Sequence, residues 1–335
     1  MIMKGSRSAV MILLIAEVFQ CQFCLTQSQA SKRPVIIDTD IGSFIDDSFA
    51  IVYAAQSEEL DIKLIVTCTQ DTTARAKVIA KLMKLLGRDD VPIGIGIKNS
   101  NNTHQSLIGW GAEEDLSTYK GGVFPDGVSK MAEVIKSSGE IVEIIAIGPM
   151  TNFPSLIQRY PEVVPRARIK AMAGSIYIGY NGSKPPSVEY NIFMCPWCMQ
   201  VLLAANWNKI TLTPLDTCWN VALDGGQIKQ MLLGDSKAAT ALASTLTYFC
   251  LVENCNLKDE TPILFDVTGT LISMPEVGMQ YMNYTTLNLT VNSAGYTVID
   301  DTKGKEIFVY VTWKQSGERQ FTDMIAKLYS TSVDL

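Results

Sequence analysis

Four carboxylates fall within ten residues of this 335-residue chain, in the run Asp38-Thr39-Asp40-Ile41-Gly42-Ser43-Phe44-Ile45-Asp46-Asp47. Like charges this close repel unless a cation or shared protons offset them. A donor set made only of oxygens suits a hard ion, Ca²⁺ or Mg²⁺, and a chain with one histidine is poorly equipped for zinc. The plain alternative is a solvated acidic turn capping the next helix, which uses one carboxylate and leaves three without a task. The single histidine, His104, lies in a polar stretch and reads as a loop residue. Any Ser-His-Asp or Cys-His machinery would have to be built through it.

The elements around the acidic run say where it sits. Residues 34–38 (PVIID) read as a buried strand, and 46–55 as a helix with Phe49, Val52 and Tyr53 at helical spacing. Further strands are expected at 61–67, 91–97, 141–147, 168–173 and 209–215. Helices are expected at 72–86, stopped by Gly87, and at about 196–206. Such alternation builds βα units into an α/β fold with a mainly parallel central sheet flanked by helices, open and doubly wound. Ligand sites in these sheets lie past the carboxyl ends of the strands, where the acidic run is. After residue 276 the texture turns to strand-like alternation at 281–291, 296–299 and 307–313, before a closing helix near 321–329. We expect one domain over 31–335 with a small antiparallel C-terminal appendage at about 277–315.

Composition narrows the function classes. The chain is 47% hydrophobic, enough for a full core, and 28 basic against 34 acidic residues give a net charge of -6 without a basic run. A nucleic-acid partner is therefore not expected. Residues 1–30 carry Lys4 and Arg7, an apolar run at 9–16 and Ser28-Gln29-Ala30, the pattern of a secretory signal peptide too short to span a bilayer. Cleavage there would leave 335 minus 30, or 305 residues, secreted to the extracellular space without membrane attachment. Sequons at Asn101, Asn181, Asn283 and Asn288 agree with a glycoprotein. Six of the eight cysteines would remain, in an oxidising compartment that favours disulfides. Cys195-Pro196-Trp197-Cys198 suits a local bridge better than a thiol oxidoreductase, whose first cysteine opens a helix directly after a strand. Cys250 and Cys255 are spaced for another short bridge or for pairing elsewhere, Cys68 and Cys218 are possible partners, and fifteen pairings are open.

The acidic run also resembles the N-terminal aspartate signature of the inosine-uridine-preferring nucleoside hydrolase family, in its longer-spaced variant. The likeness continues in order through IIAIGPMTN (144–152), MAGS (172–175), VEYNI (188–192), TPLD (213–216) and ILFD (263–266), covering about 33–275. It implies that a Ca²⁺-held water cleaves the N-glycosidic bond of a purine or pyrimidine ribonucleoside, giving ribose and free base. By that resemblance Asp40 is the general base and a metal contact, Asp47 and Asp266 are metal ligands, and Ile147 is a ligand through its carbonyl. Asp46 would hold the ribose 2′-hydroxyl, Glu189 and Asn191 the 3′- and 5′-hydroxyls, and Asp38 would orient the loop. Asn181, on a loop near the ribose, and Phe265 would be further substrate contacts, and a homo-oligomer is compatible with this reading.

The chain departs from the family pattern at three places. Phe265 stands where well-studied members carry the histidine that helps expel the base, and Phe44 where the longer variant often has another Asp. Thr67-Cys68-Thr69-Gln70-Asp71 lacks the usual Gly-Asn pair. Stacking of the base on Phe265, Trp197 or Trp219 could still activate a purine. The alternative function is a catalytically impaired family member that binds a nucleoside or ribose without cleaving it.

Overall fold

The computed structural model describes residues 32–99 and 106–332. The expected signal segment, His104 and the Asn101 sequon lie outside them.

The first strand, β1 (Arg33–Thr39), is buried on both faces because Val35 and Ile37 enter one apolar cluster while Ile36 enters the other. β-Branched residues on alternating faces suit a strand covered on both sides. The remaining strands are β2 (Leu60–Thr67), β3 (Ile93–Gly94), β4 (Val123–Phe124), β5 (Val142–Ala146), β6 (Ala167–Met172), β7 (Lys209–Thr213), β8 (Met282–Val291), β9 (Thr297–Ile299) and β10 (Lys305–Trp313). They form one sheet in the order β4-β3-β2-β1-β5-β6-β7-β10-β8-β9. Every pair from β4 to β10 in that order is parallel, and β10–β8 and β8–β9 are antiparallel. The chain runs outward from β1 to β4, then returns to the other side of β1 with β5. That reversal opens a crevice past the carboxyl ends of β1 and β5.

The C-terminal strands are antiparallel to each other, yet they are no separate layer: β10 pairs with β7 and extends the main sheet. β3 is two residues long instead of the expected 91–97. Beyond Ile95 the backbone bonds to side chains, Gly96 N–H to Thr67 Oγ1 at 3.2 Å and Ile97 N–H to Asn152 Oδ1 at 2.7 Å. A Cβ at Gly96 would lie 1.9 Å from the Thr67 carbonyl oxygen, so this crossing requires glycine.

Around the sheet pack α1 (Asp46–Gln56), α2 (Thr72–Leu86), α3 (Gly127–Ser137), α4 (Phe153–Arg159), α5 (Tyr190–Phe193), α6 (Pro196–Ala204), α7 (Lys237–Glu253), α8 (Val267–Leu271) and α9 (Gly317–Ser330), among further helices and turns. α2 starts on Asp71, which accepts from Ala74 N–H, and stops at Gly87 in the left-handed conformation with φ 70°. The sequence reading missed α7, whose apolar residues surround the helix instead of marking one stripe. α1 is buried along its whole length, between the sheet and the helices α7, α8 and α9. α9 holds it from the far end of the chain: the Tyr329 hydroxyl donates to the Phe49 carbonyl at 2.9 Å, and Phe321 meets Tyr53 at 5.9 Å and Trp313 at 5.8 Å between ring centroids. No helix among the described residues is long and apolar enough to cross a membrane.

Phe321 is fully buried among these rings. Phe321→Ala should lower unfolding stability by about 3–5 kcal/mol, read from the midpoint of denaturant unfolding.

Candidate active site

Asp40 leaves the end of β1, and Ile147 leaves the end of β5 with its N–H bonded to the Asp38 carbonyl at 2.8 Å. Between them opens a cavity of about 310 Å³. Its polar lining includes Asp40, Ser43, Asp46, Asp47, Glu189, Asn191 and Asp266, and its apolar lining Phe44, Ile147, Met172, Tyr180, Tyr190 and Phe265. Segments expected to supply the site therefore do meet, although Asp266 is 226 positions from Asp40 (266 minus 40).

Asp46, Asp47 and Asp266 each bring a carboxylate oxygen within 4.8 Å of the others. Asp46 and Asp47 open α1, and Asp266 sits just before α8, which packs on α1. All three are buried, and none makes an ion pair with lysine or arginine among the described residues. Burial pushes Asp46 up to about 7, with the Asp40 charge adding to the shift. Burial raises Asp47 and Asp266 further, and the neighbouring carboxylates act in the same direction. The Thr39 hydroxyl donates a short bond to Asp47. A hard divalent cation fits this donor set, which is all oxygen, anionic and short of positive partners.

Asp40, expected as a metal contact, is not one of the three but lies close enough for its charge to raise all of them. Its carboxylate faces the Arg75 guanidinium at 3.7 Å, and burial raises its pKa against this attraction. Arg75 itself is fully buried. The sequence reading overlooked it, although an arginine in register with Ile79, Met83 and Leu86 on the core face of α2 is a legible signal.

Glu189 caps α5, accepting from Asn191 N–H at 2.7 Å, Ile192 N–H at 3.1 Å and Gly174 N–H at 3.1 Å. A carboxylate has about four acceptor sites, so roughly one remains for a ligand. Burial raises Glu189 to about 7. Asn191 gives its amide hydrogens to the carbonyls of Ile147 at 3.2 Å and Met172 at 3.1 Å, which leaves its own oxygen free to accept. Asp38 lies behind the pocket, accepting from Asn152 Nδ2 at 2.6 Å, and burial lifts it to about 7. It can brace the loop from there without touching a ligand.

Of the aromatic candidates, Phe265 lines the pocket, edge-on to Tyr180 at 5.9 Å, while Trp197 and Trp219 do not line it. Asn181, expected as a substrate contact, is instead exposed and outside the lining, and its neighbour Tyr180 takes that place. Tyr180 and Tyr190 were missed, since isolated aromatics carry no periodic signal. Two disulfides form, Cys195–Cys198 and Cys250–Cys255, and Cys68 and Cys218 are buried thiols.

The family model for inosine-uridine preferring nucleoside hydrolases matches residues 35–324. The chain belongs to this family. Its members are N-glycosyl hydrolases. A pyrimidine-specific ribonucleoside hydrolase of Enterobacter sp. (strain 638) is 28% identical over 229 residues, spanning 64% of this chain and 70% of that protein. One from Citrobacter koseri is 28% identical over 230 residues, with the same two coverages. Among solved structures, a plant nucleoside hydrolase superposes with a TM-score of 0.73 at 20% identity, over 89% of this chain and 99% of that one. A purine-preferring ribonucleoside hydrolase from Gardnerella vaginalis gives 0.71 at 21%, over 89% and 99%. These two likenesses establish the nucleoside hydrolase fold.

The raised carboxyl groups set a pH dependence. An unfolded aspartate titrates near 3.9, whereas burial lifts Asp46 to about 7 and its neighbours in the same direction. Between those values the folded chain binds more protons than the unfolded one, so without metal, stability should fall as pH rises from about 4 through 7. Melting in chelator at successive pH values should show this decline, and added divalent cation should offset it increasingly toward pH 8. Asp266→Asn should remove most of the cation's effect.

Proposed function

We propose that the chain is a secreted, Ca²⁺-dependent ribonucleoside hydrolase that releases ribose and free base. The observation that carries this reading is the meeting of Asp46, Asp47 and Asp266 in one pocket that Asp40, Glu189 and Asn191 also line.

Departure of the base leaves positive charge on the anomeric carbon, which a pocket of carboxylates stabilises and a neutral pocket would not. Asp40, on the loop past β1, takes the proton of the attacking water. The free acceptor on Asn191 and the remaining site on Glu189 receive ribose hydroxyls, and Asp46 receives the 2′-hydroxyl. When bound, the cation supplies Lewis acidity, lowering the pKa of water at the site. Phe44, Tyr180, Tyr190 and Phe265 make an apolar wall for the planar base. Phe265 cannot protonate it.

That last point favours a second reading, a family member that binds nucleosides or ribose and turns them over slowly or not at all. Product analysis with inosine, adenosine, guanosine, uridine and cytidine, in Ca²⁺ and in chelator, decides between them. Release of free base only with Ca²⁺ supports the hydrolase, and ribose binding without any turnover, including of p-nitrophenyl riboside, removes it.

Asp40→Asn should abolish turnover of nucleosides and of p-nitrophenyl riboside alike, because it acts on the water. Phe265→His should raise nucleoside turnover by about 10-fold to 10²-fold or more, toward the gain of a positioned acid, and leave the activated riboside little changed. Steady-state kcat on both substrates checks the pair.

The proposal of export draws support from the two disulfides and from exposed sequon residues Asn181 and Asn283. Protein collected from the medium of a eukaryotic host should begin near Ser31 and lose mass on enzymatic deglycosylation. An uncleaved, unglycosylated intracellular product would contradict export.

A further inference from the structure

We infer that the Tyr180 hydroxyl is the hydrogen-bond donor that selects the 5′-hydroxyl of the ribose, in the place expected of Asn181. This rests on the proposed hydrolase function and deepens it by naming the sugar the pocket takes, a ribose that keeps its 5′-hydroxyl.

The pocket offers a sugar mostly acceptors. Asp40, Asp46, Asp47, Asp266 and Glu189 line it as carboxylates, and Asn191 has given its amide hydrogens to the carbonyls of Ile147 and Met172. Ribose hydroxyls satisfied only as donors would bury their oxygens without a partner, which costs binding. Tyr180 supplies the complementary group. Its oxygen accepts from Tyr190 N–H at 2.9 Å, and its own proton has no acceptor among the described residues. Burial raises its pKa and the Glu189 charge adds to the rise, so the phenol keeps that proton near neutral pH. A ribose hydroxyl can receive it while donating in turn to the free oxygen of Asn191 or the remaining site on Glu189.

The loop after β6 fixes where this donor stands. Asp216 accepts from Ile176 N–H at 2.9 Å and Tyr177 N–H at 2.8 Å, and Tyr180 N–H donates to Ser187 Oγ at 3.2 Å. A Cβ at Gly179 would lie 2.0 Å from that same Oγ, so the two arms of the loop cross where only glycine fits. Asn181 then turns in the left-handed conformation, φ 55°, with its side chain exposed. The Tyr180 ring lies edge-on to Phe265 at 5.9 Å, while its oxygen is bonded to the residue between Glu189 and Asn191. Ring and hydroxyl therefore serve different ends of a nucleoside. Cleavage requires the anomeric carbon beside Asp40 and the aspartate trio, which brings the 2′-hydroxyl there as well. The 5′-hydroxyl, on its exocyclic arm, reaches farthest from that carbon. Among the carboxylates, Glu189 acts on the Tyr180 hydroxyl more strongly than Asp46 does, which places the phenol toward the Glu189 end of the pocket.

Turnover of p-nitrophenyl riboside and its 5-deoxy analogue by the full mature chain in Ca²⁺ tests this, because their leaving group needs no acid. The wild type should prefer the riboside in kcat/KM by about tenfold or more, the scale of one buried hydrogen bond. Tyr180→Phe removes one oxygen and keeps the ring beside Phe265. It should lower kcat/KM for the riboside by about tenfold and change that for the 5-deoxy riboside by less than about twofold, so that the preference collapses. If the hydroxyl serves only to hold Tyr190 N–H, the Glu189–Asn191 segment shifts under both substrates and both lose equally, which overturns the inference. A wild type indifferent to the 5-hydroxyl also overturns it, as does a Tyr180→Phe chain that loses its preference over the 2-deoxy or 3-deoxy riboside instead. If the wild type turns over neither compound, the hydrolase function fails. The ratio of their Kd values by calorimetry, in wild type and Tyr180→Phe, then decides the role of Tyr180 by the same criterion, and binding of neither removes it.

Discussion

Electrostatic crowding at the end of β1 is the constraint on which the rest of the structure depends. Burying an ionised carboxylate costs several kcal/mol even after relaxation, and this pocket gathers Asp40, Asp46, Asp47, Asp266 and Glu189. Such a cluster persists only where the scaffold is stiff enough to refuse to separate it. Two apolar clusters, one on each face of the sheet, clamp β1, while α1 is held between sheet and helices with no face left to solvent. What remains of the repulsion is offset by protons, by Arg75, or by a cation.

How far the sequence revealed this differs from residue to residue. β1 and the acidic run were legible because their signals are local: an apolar strand, then aspartates at close spacing. Asp266, Glu189 and Asn191 were reachable only through family likeness, since nothing in the residues themselves announces that distant segments converge at one strand end. Asn181 illustrates the limit of that route, for the likeness found the loop but not the side chain, which points to solvent while Tyr180 faces the pocket. β3 misled for another reason. Its apolar run was real, but Gly94 and Gly96 let backbone and side chains approach closely enough to replace the ladder. Phe265, Trp197 and Trp219 were equal in sequence because aromatic character says nothing about direction.

The pocket lining is of two chemical kinds, acidic and aromatic. Its acidic floor is fixed by strand ends and helix starts, elements that cannot move without disturbing the sheet. The aromatic side is borne on loops and short helices, and Phe44 leans edge-on against Phe249 of α7 at 5.1 Å, next to the Cys250–Cys255 bridge. The two kinds of residue alternate along the chain, as in Glu189-Tyr190-Asn191 and Phe265-Asp266, so an aromatic can be exchanged without moving the carboxylate beside it. Within one family, this arrangement permits base preference to drift while the sugar chemistry is retained.

The placement of β10 beside β7 bears on how the chain is made. Lys305 follows Thr213 by 92 positions (305 minus 213), so during synthesis the outer edge of β7 has no strand to pair with until those residues have emerged. At ribosomal speeds of about 5–20 residues per second that interval is roughly 5–18 s, during which the nascent sheet presents an open template for other strands. The hydroxyl of Tyr329 that secures α1 arrives later still. The acidic helix is therefore locked only after β10 and α9 have emerged, and a nascent chain stalled short of β10 is an aggregation hazard that chaperones must cover.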